Sequence, residues 1–319
     1  MISNNIDLAA RILKDEGIIG FPTETVYGLA GNIFSDKAIK EIYTIKQRPF
    51  YNPLIVHIKS MEDLKTIAVD IPPMALKLAK SFWPGPLTLL LKKNASVPDL
   101  ITAGKPTVAV RIPNHPTALA LLNLLDFPLA APSANPFGMI SPTKAEHVAE
   151  YFQDNIEMVL DGGACQTGIE STIIGFNQNE VVVYRLGGIS IEEIKTIAGD
   201  VTLFTKNDTA PEAPGMLSKH YAPATPLIFT ENIEKFIPQF KNKRVGLLLF
   251  STAIVNVPND CIQMIVSPNE NLKEAAARLY DTLHQLDKMN LEVIIAEKFP
   301  DTELGRVIND KLTRASLNK

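Results

Sequence analysis

The chain has 319 residues, 46% of them hydrophobic, and a formal net charge of −4. This length exceeds the roughly 100–200 residues usual for one domain, so we expect two domains. The charge argues against a protein whose whole surface binds nucleic acid, although a local basic pocket is compatible with it. The two cysteines, Cys165 and Cys261, lack the CxxC or HxxxH spacing of a metal site. We therefore expect neither structural zinc nor a disulfide framework.

The N-terminal residues 1–17 form an amphipathic pattern with charges of both signs. They lack the basic start, apolar middle and small-residue cleavage site of a secretory signal. The longest apolar stretches, such as 245–250, are far shorter than the roughly 18–20 residues that cross a bilayer. We therefore expect a cytoplasmic protein with no membrane contact.

Through residue 204, apolar runs rich in β-branched residues alternate with amphipathic segments. This alternation predicts an α/β domain over residues 1–204, with a twisted, irregular sheet and helices packed on it. The predicted strands are 17–22, 53–58, 87–91, 107–112, 173–176 and 181–184. The predicted helices include 36–45, 72–82 and 144–152.

Residues 205–226 lose this periodicity and contain four prolines, a composition typical of linkers. Residues 227–319 then predict a second, smaller Rossmann-like α/β domain with a parallel sheet. Its predicted strands are 227–229, 245–250, 262–266 and 291–296, and its longer helices are 272–286 and 305–317. No GxGxxG follows these strands, so we expect neither a dinucleotide site nor a tightly bound organic cofactor.

The first predicted strand is followed by three polar residues, Thr23, Glu24 and Thr25. Ligands of α/β proteins commonly bind at such a position, beyond the carboxyl end of a strand. By themselves these residues fit an ordinary turn that caps the next helix better than they fit a binding site. Their assignment therefore depends on the other motifs.

Two cations, Lys46 and Arg48, follow the predicted helix 36–45. Lys46 alone fits a charge that complements the helix dipole, worth about 0.3–1 kcal/mol. Pro49 biases Arg48 towards an extended conformation, from which its guanidinium can bind phosphate oxygens through two parallel hydrogen bonds. His57, inside the next strand, fits a ligand-binding residue and a core histidine equally well.

Arg111 lies on an apolar strand, on the same face as Thr107 and Ala109. A buried arginine requires an anionic partner, which is either a ligand carboxylate or phosphate or an internal Asp or Glu. Other polar residues also gather at the ends of predicted strands or before a predicted helix. They are Ser133, Asn135, Ser141, Ser171 and Arg185.

Thr143 and Glu146 predict a capping box at the start of the helix 144–152. Capping does not explain the other polar residues. Together with the cations they suit an anionic ligand bound by positioning and charge, as in phosphoryl and nucleotidyl transfer. No GxxxxGK[ST] occurs, so a P-loop enzyme is excluded. The residues alone predict an α/β protein with a polyanion pocket.

Motifs along nearly the whole chain resemble one family in their order and spacing. They are PTETVYGL, KQRP with NPLIVHI, FWPGPLT, TVAVRIPNHP, APSAN, SPT, IEST, and APGM with KHYAP. This series resembles the long form of the threonylcarbamoyl-AMP synthase family, whose catalytic part is a YrdC-like domain. The C-terminal residues resemble the family's second domain through their place after the linker and the ending GRVINDKLTRAS.

The resemblance implies a role for each predicted site residue. Threonine would be bound by Thr25, His57, Arg111, the backbone at Ala131, and Ser171, and Arg111 would pair with the amino acid's carboxylate. ATP would be bound by Arg48, Asn52, Thr107, Ser133, Ser141, Arg185 and Tyr221. The KxR and SxN signature supplies the implied catalytic residues, which are Lys46, Arg48, Ser133 and Asn135; Lys46 and Asn135 would face the phosphates.

The resemblance also implies a reaction, in which L-threonine, bicarbonate and ATP form threonylcarbamoyl-AMP and pyrophosphate. The threonine amine would take up CO2 derived from bicarbonate, and the carbamate oxygen would attack the α-phosphorus of ATP. Mg²⁺ is expected on the ATP phosphates rather than in a protein metal site. The product would pass to the machinery that modifies adenosine 37 in tRNAs reading ANN codons.

Two other functions are compatible with a domain of this type. An RNA-binding module with a basic concave surface is the main alternative, and a weak RNA contact is also compatible with the enzyme. Only 7% of the residues are aromatic, and no basic and aromatic residues interleave as single-strand binding favours. A carbamoyl-transfer domain related to hydrogenase maturation factors is disfavoured because zinc-finger cysteines are missing.

The linker is too rich in proline for a flexible tether, and it carries Met216, His220 and Tyr221. Residues 214–223 are therefore predicted to fold back over the catalytic pocket as a lid. Tyr221 would then contact the nucleotide, and the lid would exclude water that hydrolyses the product. A semi-rigid spacer is the alternative.

Overall fold

The computed structural model of the protein describes residues 1–178, 180–204, 212–216, 220–258 and 260–317. These residues fall into two compact units. The first unit contains residues 1–137 and 142–217, and the second contains residues 138–141 and 218–319. Residues 205–211 and 217–219 of the expected linker lie outside the described residues, so the linker bounds stay a prediction.

The first unit contains a mixed sheet of eleven described strands. In chain order they are β1 (Ile2–Ser3), β2 (Ile19–Phe21), β3 (Gly28–Asn32), β4 (Ile55–His57), β5 (Leu87–Lys92), β6 (Thr107–Arg111), β7 (Leu129–Ala130), β8 (Met158–Leu160), β9 (Thr172–Asn177), β10 (Glu180–Arg185) and β11 (Val201–Leu203). Their order across the sheet is β1-β8-β2-β3-β7-β4-β6-β5-β9-β10-β11. The expected irregular α/β fold is confirmed.

The described helices of this unit are α1 (Ile6–Lys14), α2 (Asp36–Ile45), α3 (Leu64–Ile67), α4 (Pro73–Phe82), α5 (Asp99–Thr102), α6 (Pro116–Asn123), α7 (Ala145–Phe152) and α8 (Ile191–Ala198). Side chains define several of their starts, because Asn5 caps α1 and Ser35 caps α2. Ser190 and Glu193 form a complete capping box on α8. Helix α2 matches the predicted bounds at both ends.

The capping box predicted from Thr143 and Glu146 is wrong. Helix α7 begins one residue later than that box requires, so its N-cap is Lys144, which makes no side-chain cap. The backbone N–H of Thr143 instead donates to Nδ1 of His147 at 3.3 Å. His147, in the first turn, therefore accepts the hydrogen bond from the Thr143 N–H that the Glu146 side chain was expected to accept.

The strands of the first unit separate two apolar layers, as their side-chain alternation requires. On β6, Val108 and Val110 belong to the main core, whereas Ala109 belongs to a smaller cluster. That smaller cluster consists of Ile55, Leu90, Ala109, Ile173, Ala213 and Met216. Thr107 and Arg111 share the face of Ala109, so the polar residues of β6 lie beside the smaller cluster.

The second unit contains four described strands and two long helices. The strands are β12 (Leu227–Thr230), β13 (Val245–Leu249), β14 (Cys261–Ile265) and β15 (Val293–Glu297), and the helices are α9 (Leu272–Asp287) and α10 (Glu303–Ser316). All pairs in the order β12-β15-β13-β14 are parallel, which confirms the expected parallel sheet. Within the described residues, none of the helices is both long enough and apolar enough to span a bilayer.

Candidate active site

Strand order brings four of the expected threonine-binding residues to neighbouring positions. His57 and Arg111 are register partners on the parallel strands β4 and β6, so their side chains leave the same face. The backbone N–H of Ala131 donates to the carbonyl oxygen of Ile55 at 3.0 Å, which places it one strand away. Thr25 joins them through a hydrogen bond from Arg111 at 2.8 Å.

The Arg111 guanidinium is held by three groups although it is only 3% exposed. Its Nε donates to the carbonyl oxygen of Gly85 at 3.1 Å, and Nη1 donates to Oγ1 of Thr25. Nη2 lies 2.6 Å from Oε1 of Glu24, and the two groups are not aligned as a hydrogen bond. The internal carboxylate that a buried arginine on this strand could require is therefore Glu24.

The direction of the Thr25 hydroxyl follows from its neighbours. Oγ1 of Thr23 donates its one hydrogen to the carbonyl oxygen of Val26 at 2.6 Å. The hydroxyl of Thr25, 2.8 Å away, must therefore donate to Thr23 while it accepts from Arg111. Thr25 is thus oriented by its own motif before any ligand binds.

Glu24 is the residue of this site that the sequence reasoning left without a role. It lies inside the PTETVYGL motif, and its side chain is buried. The signal that could have identified it was the requirement of Arg111 for an anion. The two positions are far apart in the sequence, and nothing local connects them.

His57 is buried beside the ring of Phe21, with ring centroids 5.8 Å apart. Burial, and then the nearby charge of Arg111, lowers the pKa of His57 from 6.5 to about 3. The imidazole is therefore neutral at pH 7, where it can donate or accept one hydrogen bond at each nitrogen but does not add a positive charge.

The low pKa of His57 predicts a pH dependence of stability. Between pH 6.5 and about 3 the unfolded chain is protonated at His57 while the folded protein is not, so stability is lost as the pH falls. The slope is about 1.4 kcal/mol per pH unit for this group. Urea unfolding at pH 7 and pH 5 should show a loss about 2 kcal/mol smaller in His57→Gln than in the wild type. Equal losses in the two proteins would contradict this prediction.

Lys46 joins the end of α2 to the segment Ser133–Asn135. Its ammonium donates to the carbonyl oxygens of Ser133 and Asn135 at 2.6 and 2.5 Å. The backbone N–H of Phe137 in turn donates to the carbonyl oxygen of Lys46 at 2.8 Å. Burial, and then the charge of Arg48, lowers the pKa of Lys46 well below its ordinary value. The KxR and SxN signature thus forms one connected structure, and contact of Lys46 with phosphate stays a prediction.

Arg48 closes the loop that follows α2. Its Nε donates to the carbonyl oxygen of Asn52 at 3.1 Å, and Nη2 donates to Oδ1 of Asn52 and to the carbonyl oxygen of Pro53 at 2.7 Å each. The hydroxyl of Tyr43 donates to the same Asn52 carbonyl at 3.1 Å. Arg48 and Asn52 are therefore brought together, and their binding of ATP stays a prediction.

Arg185 connects the expected threonine and ATP groups. Its Nη2 donates to the carbonyl oxygen and Oγ of Ser171 at 2.8 and 2.9 Å, and Oγ of Ser171 also lies 2.7 Å from Oγ1 of Thr88. Nη1 donates to the carbonyl oxygen of Pro214 at 3.2 Å. Of the expected lid 214–223, residues 214–216 belong to the first unit and contact Arg185 through Pro214, while closure over a ligand stays a prediction.

Gly187 allows the chain after Arg185 to approach Ser171. A Cβ atom there would lie 2.3 Å from the backbone carbon of Ser171, which no side chain tolerates. The backbone N–H of Gly188 also donates to the carbonyl oxygen of Glu170 at 2.8 Å. Gly187 is therefore required by this close backbone contact.

Ser141 and Tyr221 belong to the second unit. The carbonyl oxygen of Ser141 lies 3.2 Å from Nε2 of His284, and the hydroxyl of Tyr221 accepts from Nζ of Lys311 at 3.3 Å. The Tyr221 ring also stacks on Tyr280, with centroids 5.8 Å apart. Binding of a nucleotide by Ser141 and Tyr221 stays a prediction.

Several buried polar atoms of the first unit have no hydrogen-bond partner among the described residues. They are both carboxylate oxygens of Glu24, Nδ2 of Asn52, Nδ1 of His57, Oγ1 of Thr107, Nη2 of Arg111 and Oγ1 of Thr143. Two of these atoms, Oε1 of Glu24 and Nη2 of Arg111, do form an ion pair with each other at 2.6 Å. An unpaired buried polar group costs about 1–3 kcal/mol, so such atoms normally have partners. Four of these six residues are ligand-binding residues expected from the sequence, and Glu24 and Thr143 are not. The unpaired atoms therefore mark a place where a polar ligand can supply the missing contacts.

The part of the chain that the structure describes contains no group of three or more His, Cys, Asp or Glu side chains that could hold a metal ion. The candidate site instead presents backbone groups, hydroxyls, amides and cations. These groups can bind an anion and an amino acid by hydrogen bonding and charge.

Two family models match the chain. The one described as "Telomere recombination" matches residues 11–187, and the one described as "Threonylcarbamoyl-AMP synthase, C-terminal domain" matches residues 189–316. The threonylcarbamoyl-AMP synthase of Pyrococcus abyssi is 40% identical over 98% of this chain and 94% of its own length. The chain belongs to the threonylcarbamoyl-AMP synthase family. The resemblance of its motifs to this family is thereby confirmed.

Further relatives agree with this assignment. The threonylcarbamoyl-AMP synthase of Bacillus subtilis is 40% identical over 97% of this chain and 92% of its own length. The crystal structure of Pyrococcus abyssi Sua5 complexed with L-threonine matches with a TM-score of 0.91 at 40% identity, and covers 98% of this chain and 94% of that one. The threonylcarbamoyl-AMP synthase match therefore includes both domains.

Proposed function

We propose that this chain is a nucleotidyltransferase that forms L-threonylcarbamoyl-AMP and pyrophosphate from L-threonine, bicarbonate and ATP. One observation supports this most directly: the buried atoms without partners belong mainly to residues that the family motifs assign to threonine and ATP, such as Asn52, Thr107 and Arg111. The full-length similarity to threonylcarbamoyl-AMP synthases supports the same function.

On the threonine side, Arg111 binds the substrate carboxylate. Its guanidinium has five N–H donors, and Gly85 and Thr25 take one each. Nη2 also faces Oε1 of Glu24 at 2.6 Å, so we assign the second N–H of Nη1 and the second N–H of Nη2 to the substrate carboxylate. Thr25, neutral His57, the backbone at Ala131 and Ser171 complete this group.

On the ATP side, Lys46 binds the segment 133–135, and Arg48, two residues later, binds Asn52. These two neighbouring cations therefore connect the segments to which we assign ATP binding. The Lys46 ammonium has three donors, two of which bind carbonyl oxygens, and we assign the third to phosphate. The other expected ATP-binding residues of the first unit are Arg48, Asn52, Thr107, Ser133 and Arg185, with Asn135 beside the phosphates. Mg²⁺ bound to the phosphates of ATP would neutralise part of their charge.

The chemical step requires positioning rather than a covalent nucleophile. The threonine ammonium group gives up one proton, which converts bicarbonate to CO2 and water. The free amine then forms a bond to CO2 and releases a second proton to solvent, which gives the carbamate. A carbamate oxygen attacks the α-phosphorus of ATP, and pyrophosphate leaves with the electrons of the broken P–O bond. Cations beside two anions lower their mutual repulsion. The product supplies the threonylcarbamoyl group for adenosine 37 of tRNAs that read ANN codons, in the cytoplasm.

Pyrophosphate release by the purified protein tests this function. We expect release from ATP that depends jointly on L-threonine and bicarbonate, and threonylcarbamoyl-AMP as the product by mass spectrometry. Omission of either co-substrate should abolish the signal. A protein that binds ATP but releases pyrophosphate equally well without threonine would contradict the proposal.

A further inference from the structure

The Glu24 carboxylate is buried at the candidate threonine site and has an unused capacity to accept hydrogen bonds. Its side chain is 6% exposed, Oε2 has no hydrogen-bond partner among the described residues, and the contact of Oε1 is the ion pair with Nη2 of Arg111 at 2.6 Å. The backbone around it is fixed, because its carbonyl oxygen accepts from the N–H of Thr167 at 2.7 Å. Glu24 is therefore held in place by its main chain, while its charged group stays unsaturated.

The contact with Arg111 neutralises the charge of Glu24 but does not provide the hydrogen bonds that its carboxylate oxygens can accept. Oε1 lies 2.6 Å from Nη2 of Arg111 without hydrogen-bond alignment, and Oε2 has no partner. A buried carboxylate is usually saturated with donors, because an unpaired charged group costs more than a neutral one. The Glu24–Arg111 pair thus has a carboxylate that can accept further hydrogen bonds beside a guanidinium that can donate further hydrogen bonds.

We propose that Glu24 binds the α-ammonium group of the threonine substrate. This inference rests on the proposed function and adds a residue that determines the amino-acid specificity of the same site. A free α-amino acid is a zwitterion, so its carboxylate faces Arg111 while its ammonium group faces Glu24. The ligand brings one charge of each sign, and the buried site stays balanced when it is occupied. An acid without an amine would place its carboxylate near Glu24 with no compensating cation.

Comparison of two ligands with two proteins tests the proposal. L-Threonine and (R)-3-hydroxybutanoate, which lacks only the amine, are titrated calorimetrically into the wild type and Glu24→Gln. We expect Glu24→Gln to weaken threonine binding roughly ten- to a hundred-fold, because a charge-assisted hydrogen bond is lost. Its affinity for 3-hydroxybutanoate should stay equal or rise. The exposed Glu62→Gln is the matched control and should bind both ligands as the wild type does.

Other outcomes separate this proposal from its alternatives. Equal weakening of both ligands would mean that Glu24 only orients Arg111, and unchanged threonine binding would mean that Glu24 does not touch the substrate. Either result overturns the proposal. If the wild type itself fails to bind threonine, the proposed function fails first.

A measurement on the unaltered protein keeps the proposal testable if Glu24→Gln does not fold. A crystal structure of the wild type with L-threonine should place a Glu24 oxygen within hydrogen-bond distance of the substrate nitrogen, about 2.7–3.2 Å. A bound threonine whose nitrogen contacts only other groups would overturn the proposal.

Discussion

Arg111→Met is expected to lower kcat/KM for threonine by about a hundred-fold or more, because the substrate carboxylate loses a charge-assisted partner. The variant should also lose stability. It leaves Glu24 as a buried charge without its cation, and breaking a buried pair in this way costs about 3–5 kcal/mol. Pyrophosphate release at varied threonine concentration measures the first effect, and urea unfolding measures the second.

A double variant separates these two effects of Arg111. Arg111→Met combined with Glu24→Gln removes both charges, so most of the lost stability should return. Threonine-dependent activity should remain low, since no cation is left for the carboxylate. A double variant no more stable than Arg111→Met would show that the ion pair is not the source of the instability.

Lys46→Met is expected to lower kcat/KM for ATP by about a hundred-fold. The variant loses both hydrogen bonds to the carbonyl oxygens of Ser133 and Asn135, so the SxN segment, which we propose binds the nucleotide, is no longer held to the end of α2. The loss in the free energy of unfolding should be smaller than the free energy that corresponds to the loss in kcat/KM. The reason is that the variant no longer has to desolvate a buried ammonium group. Threonine affinity, measured by calorimetry, should change less than ATP affinity.

Lys40→Met on the same helix is the matched control for Lys46→Met. Lys40 is exposed and pairs with Asp36 at 3.2 Å, a surface contact worth about 0–1 kcal/mol. This variant should keep wild-type kinetics. If Lys46→Met also keeps them, Lys46 neither holds the segment nor contacts phosphate.

Much of the fold was predictable because its signals are local. The 36–45 helix was predicted with correct ends, since Ser35 supplies a cap and the apolar positions recur at helical spacing. The parallel sheet of the second unit followed from strands that alternate with helices. Caps that depend on exact geometry were less reliable, as the start of α7 shows.

The sequence named the candidate site residues, whose roles stay predictions, but it could not name their contacts. Strand periodicity places Thr107, Ala109 and Arg111 on one face, and the structure agrees. It cannot say what lies opposite that face. The partner of Arg111, Glu24, comes from a different part of the chain.

The sequence by itself determined the family, the two-domain α/β organisation and most candidate ligand residues, because family motifs and hydrophobic periodicity are written in consecutive residues. Only the tertiary structure decided the partners of the charged groups. Lys46 binds backbone carbonyls of residues 133 and 135, and Arg111 meets Glu24, because chain folding brings these distant segments together. A buried charged group without a partner costs free energy, so each of these groups needs its partner. Which groups are buried depends on residues that are distant in the sequence, so a pattern of consecutive residues does not reveal the partner.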